Sequence, residues 1–82
     1  QLTRYSMRLY LLTSNHSVDY DEYQGFVIAA SDLTEARGLA DQGAVRNQKG
    51  DFLDKDSTTC RFLGDAGYGI ERGILSSDFN AG

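Results

Sequence analysis

The chain has 82 residues, a mass of 9.0 kDa and a formal net charge of −4, with 40% apolar and 24% charged residues. That is room for one domain, residues 1–82, and nineteen Leu, Ile, Val and Phe residues supply only a thin core. With no Pro, no Trp and one Cys, a disulfide scaffold, a collagen-like repeat and a Pro-rich linker are excluded.

The eight basic residues (Arg4, Arg8, Arg37, Arg46, Lys49, Lys55, Arg61, Arg72) are scattered singly, and the pI is near 4.6. Nucleic-acid binding draws on clustered cations that displace counterions from phosphate, so direct DNA or RNA binding is not expected. An anionic membrane surface is excluded on the same ground, and no apolar run approaches the ~20 residues of a membrane helix. Cys60 cannot form an internal disulfide, which fits a cytosolic setting.

Residues 1–6 lack an initiator Met and read as an appended or upstream sequence without function. From Arg4 to Thr13 apolar side chains alternate, Tyr5, Met7, Leu9 and Leu11 against Tyr10 and Leu12, which predicts a strand. Ser14–Ser17 is turn-prone, and Val18–Gln24 reads as an acidic, aromatic connecting loop. Phe26–Ala30 is apolar on both faces, as a central strand is.

A helix over about 32–42 has the clearest signal. Asp32 and Glu35 are spaced as a capping box, and Leu33, Ala36, Leu39 and Ala40 recur at helical spacing. Gly43 fits a left-handed residue that ends it. Asn47–Asp51 is a turn cluster, read as the tip of an irregular hairpin within Val45–Asp56. Thr58–Leu63 and the segment around Gly73–Phe79 read as strands, joined by a glycine-rich loop at 64–69.

The order β-β-α-β-β predicts an α+β fold: a small antiparallel sheet of about four strands with one helix packed on one face. The other face stays open. Tyr10, Leu12, Val27 and Ala29 are expected on it, where a homodimer or partner contact would complete the core.

No catalytic constellation is visible, and the chain is expected not to be an enzyme. The single His16 lies in a polar turn, and Cys60 sits mid-strand with no base beside it. Zinc calls for four Cys or His ligands and the chain holds one of each. Asp54-x-Asp56-x-Thr58 with Asp65 faintly resembles a calcium loop, but Thr59 stands where that loop has Gly and Asp65 where it has Glu. Gly64-x-x-Gly67-x-Gly69 lacks the Lys and the helix of a phosphate loop. No metal and no cofactor are expected.

The segment Asp19-Tyr20-Asp21-Glu22-Tyr23 interleaves three carboxylates with two tyrosines. Tyrosine contributes contact area at low entropy cost, and carboxylates steer a basic partner, so these residues are candidate binding residues. The acidic turn Asp51, Asp54 and Asp56 joins them. Such a surface imitates nucleic-acid charge and fits a larger host or phage protein with a basic surface.

The stretch Asp21-Glu22-Tyr23-Gln24-Gly25-Phe26-Val27-Ile28-Ala29-Ala30-Ser31, running into Glu35-Ala36-Arg37, resembles small proteins encoded by tailed bacteriophages and prophages. The closing segments Phe62–Ala66 and Ile70–Gly82 are similar to the ends of such proteins. The departures are Gln24, where an acid is commoner, and Asp78, inserted before Phe79. The resemblance covers about half the chain. It implies a phage or prophage origin and no activity. In size and charge the chain also resembles stoichiometric inhibitors of bacterial immunity, anti-CRISPR proteins among them, a likeness of type and not of motif. The expected role is a non-catalytic binding protein acting on a defence effector in the cytoplasm of an infected bacterium. The alternative is a structural or self-assembling accessory of the virion, built on the open sheet face.

Overall fold

A computed structural model describes residues 7–15 and 21–80. Its elements are β1 (Arg8–Ser14), β2 (Glu22–Ala30), α1 (Leu33–Gly43), 3₁₀ turns at Arg46–Gln48 and Asp51–Leu53, β3 (Thr58–Asp65) and β4 (Gly73–Asn80). The strands form one antiparallel sheet in the order β3-β1-β2-β4, with α1 packed on one face. This is the α+β arrangement that the order β-β-α-β-β predicts.

β1 and β2 are apolar on both faces and take the two central positions. Their register pairs Tyr10 with Ile28 and Leu12 with Phe26. Paired residues share a face, so these four lie together on the helix side, where they and Ala30 are buried. Leu9 and Leu11 pair with Ala29 and Val27 on the opposite face. The expected open face is therefore corrected: Val27 and Ala29 belong to it, while Tyr10 and Leu12 lie beneath the helix. α1 meets the sheet through Ala36 and Ala40, both fully buried, and these small side chains leave the volume to Phe26, Leu12, Ile28 and Phe52. Phe26 and Phe52 meet edge-on with centroids 5.1 Å apart.

The helix starts as its sequence demands. The Asp32 carboxylate accepts the Glu35 N–H at 2.8 Å, and Glu35 accepts from the Ser31 N–H at 2.8 Å and its hydroxyl at 3.0 Å. The same carboxylate meets Arg72 at 2.8 Å, tying the start of β4 to the helix. The Ser31 backbone bond first, then the Arg72 bond, hold the Glu35 pKa below its ordinary value. A carboxyl with a depressed folded pKa adds stability above its unfolded pKa and loses it as pH falls through the folded value. Glu35→Gln should thus lower the urea midpoint at neutral pH, by an amount that shrinks as pH falls through the folded pKa of the carboxyl. A loss that stays constant on acidification would refute the assignment.

The helix end differs from expectation. Gly43 is its last residue, without positive φ, and Ala44 caps it in extended conformation, its N–H bonding the Ala40 carbonyl at 2.9 Å. The glycine is needed for space: a Cβ there would stand 2.5 Å from Ile74 Cδ1 and 3.5 Å from the Phe26 ring. Gly38 faces no such constraint, with no atom within 4 Å of a Cβ. Gly38→Ala should stabilise the domain by about 0.5–1 kcal/mol, read as a raised urea midpoint at constant slope.

The segment after α1 folds into two 3₁₀ turns rather than a hairpin tip. They bury Gln48 and Phe52, at 2% and 0% exposure. Strand boundaries also extend beyond expectation. β2 begins at Glu22, so Glu22, Tyr23 and Gln24 belong to a strand and not to a connecting loop, and β3 runs on through Asp65.

Candidate functional site

The candidate residues lie around the end of the sheet where β1 finishes and β2 and β3 begin. Ser14 pairs with Thr58, which sets the turn before β3 beside the exit of β1. Asn15 fastens the two: its N–H donates to the Ser57 carbonyl at 2.9 Å, its amide nitrogen to the Asp56 carbonyl at 3.3 Å, and its Oδ1 accepts the Thr59 hydroxyl at 2.6 Å. The turn carrying Asp54 and Asp56 thereby stands next to the exit of β1.

On the other side Gln48 performs the same service. Its amide nitrogen donates to the Tyr23 carbonyl at 2.7 Å and its oxygen accepts the Tyr23 N–H at 2.8 Å, as a neighbouring strand would. This holds the 3₁₀ turns against the start of β2, where the ladder to β4 shifts register between Tyr23 and Gly25. Arg37 completes the scaffold from α1, donating to the Phe52 carbonyl at 3.0 Å, the Thr58 hydroxyl at 2.9 Å and the Thr58 carbonyl at 3.2 Å. The buried Thr58 hydroxyl in turn donates to the carbonyls of Asp51 and Asp54.

Within this frame the candidates differ in what they offer a partner. Asp21 is exposed, at φ 61°, in the left-handed region that Asp tolerates better than most residues. Glu22 is half-buried in β2, opposite Asn80. Tyr23 is partly buried, its ring 4.7 Å from both Phe26 and Phe79, so it anchors the site more than it reaches out. Asp51 is half-buried in the second 3₁₀ turn. Asp54 accepts the Asp56 N–H and the Ser57 hydroxyl, both at 2.9 Å, and these bonds hold its pKa below the ordinary value. Its carboxylate shapes the turn. Asp56 is exposed. Asp19 and Tyr20 lie outside the described residues, as does His16.

Cations border the same end. Lys55 stands exposed between Asp54 and Asp56, while Lys49 donates to the Asp41 carbonyl at 2.6 Å, at the end of the helix. The surface is acidic but not uniformly so.

Cys60 pairs with Leu12, partly buried against the core, and burial pushes its thiol pKa up. A protonated thiol is a poor nucleophile at neutral pH. Among the described residues no three His, Cys, Asp or Glu side chains are grouped to hold a metal ion. Asp54 lies in the turn before β3 and Asp65 at its far end, with about 23 Å of strand between, too far to share a calcium ion. Among the described residues no helix is long and apolar enough to cross a membrane.

Sequence reasoning missed Gln48, Arg37 and Phe52. The apolar pair Phe52-Leu53 in a polar turn is a usable signal for burial, whereas nothing in the run Arg46–Lys49 distinguishes the buried amide from its exposed neighbours. Comparison with protein-family models, curated proteins and solved structures finds no match to this chain.

Proposed function

We propose that the chain is a non-catalytic binding protein that inhibits or modulates a larger protein through the acidic end of its sheet. The observation that carries this reading is that Asp21 and Glu22 stand at the same end of the sheet as Asp54 and Asp56. Segments about thirty residues apart in sequence are braced at one end by Asn15 and Gln48. Carboxylates held on a hydrogen-bonded scaffold give a partner a fixed charge pattern, which favours fast, oriented association with a basic surface. The partner class is a host or phage protein whose basic groove ordinarily takes nucleic-acid phosphate. With the resemblance to small phage proteins, a bacterial defence effector such as a CRISPR nuclease in the infected cell is the first candidate.

The test is affinity capture from bacterial lysate and from reconstituted defence effectors. The native chain should retain a partner that heparin competes away, and the Asp19→Lys, Asp21→Lys, Glu22→Lys triple variant should lose at least about tenfold in affinity. Retention undiminished by that charge reversal would overturn the reading.

A further inference from the structure

The sheet face opposite α1 carries a pattern of its own. In the rows from Leu9 to Thr13 its centre is apolar, with Leu9 beside Ala29 and Leu11 beside Val27. Charge in these rows is confined to the two edges. Arg61 on β3 pairs with Leu11, and Asp78 on β4 pairs with Gly25, so both project to this side. The remaining paired edge positions in these rows are Thr59, Gly64, Gly73 and Ser76, all uncharged. Between Leu11, Thr13, Val27, Ser76 and Asp78 lies a shallow depression of about 130 Å³.

We propose that a second copy of this chain covers the face, the two sheets packing about a two-fold axis parallel to the strands. That rotation exchanges the edges, laying β3 of one copy over β4 of the other while each row keeps its level. Arg61 then stands over Ser76 of the second copy, one pleat from its Asp78, and symmetry makes the contact twice. With sheets ~10 Å apart, the guanidinium reaches the depression beneath it. There Asp78 supplies a carboxylate, Thr13 and Ser76 supply hydroxyls, and Leu11 and Val27 line the arginine stem. The charges also select the axis. A two-fold across the strands would stack β3 on β3 and β4 on β4, setting Arg61 on the edge of its own copy and Asp78 likewise.

Four strands ~4.8 Å apart make a face roughly 20 Å across, at the small end of stable interfaces, so the dimer is expected to dissociate in the micromolar range. Sedimentation equilibrium from ~1 μM to ~1 mM tests this. The native chain should dimerise reversibly. Arg61→Asp and Asp78→Arg should each weaken the dimer at least about tenfold, and the double exchange should restore it to within about threefold. Both side chains are exposed, so the variants should keep the native circular dichroism spectrum. A native monomer throughout the range, singles without effect, or a double variant no better than the singles would each overturn the proposal. The monomer outcome would leave the face to a different protein.

Discussion

Phe52→Ala should lower the unfolding free energy by about 3–5 kcal/mol and the melting temperature by roughly 15–30 °C. Phe52 is fully buried, stacked edge-on against Phe26, and its carbonyl accepts from Arg37. No other large apolar side chain of the segment between α1 and β3 is buried, since Val45 is half-buried and Leu53 is 53% exposed. Truncation therefore leaves a cavity at the junction of helix, turn and sheet that no neighbour is placed to fill. A domain of this size has about 4–12 kcal/mol in total, so the variant is expected to be partly unfolded at 37 °C. Thermal melts by circular dichroism decide it, with Leu53→Ala as the control, expected within about 0.5 kcal/mol of native. A loss below about 1.5 kcal/mol for Phe52→Ala would place the ring outside the core.

That residue also marks where the sequence stops being readable. The helix was legible because its signals are local: a cap, a periodic apolar stripe and an acid three residues after Asp32 all concern neighbours in the chain. The strands were legible as strands, yet their faces were not. β1 and β2 are apolar on both sides, so alternation cannot say whether Leu11 or Leu12 points inward. The hairpin register and the position of α1 decide it. Glu22 and Tyr23 read as loop because the carboxylates around them are poor strand formers. What draws them into β2 is distant: Phe79 against the Tyr23 ring, and Gln48 against its backbone. That the two acidic segments share one end of the sheet was not legible, because it depends on Asn15 and the pairing of Ser14 with Thr58. The carboxylates themselves were legible as residues. Their division of labour, with Asp54 shaping a turn while Asp21 and Asp56 stay open to a partner, depends on bonds that composition does not encode.

Gly25→Ala should destabilise the domain by about 3 kcal/mol or more, at the upper end of what one added methyl does. Gly25 is buried opposite Thr13, and a Cβ there would run into the Leu12 carbonyl oxygen, with the Thr13 Cα close behind. Those are backbone atoms of the adjacent central strand. No side-chain rotation relieves them, so β1 and β2 must separate just where Leu12 and Phe26 pack beneath the helix. At Gly43 the obstructing atom is the end of Ile74, which can turn aside, so alanine there should cost less. Gly38→Ala, with open space around the added methyl, should shift stability the other way. The three variants thus form a series in which the chemistry is constant and only the neighbour changes. Urea midpoints in the order Gly38→Ala above native, Gly43→Ala below it and Gly25→Ala lowest would bear out the close approach of β1 and β2. Because Gly25 also floors the depression between Leu11 and Asp78, the same substitution should weaken self-association beyond its effect on folding. A Gly25→Ala protein as stable as native would show that the hairpin pairs in a different register.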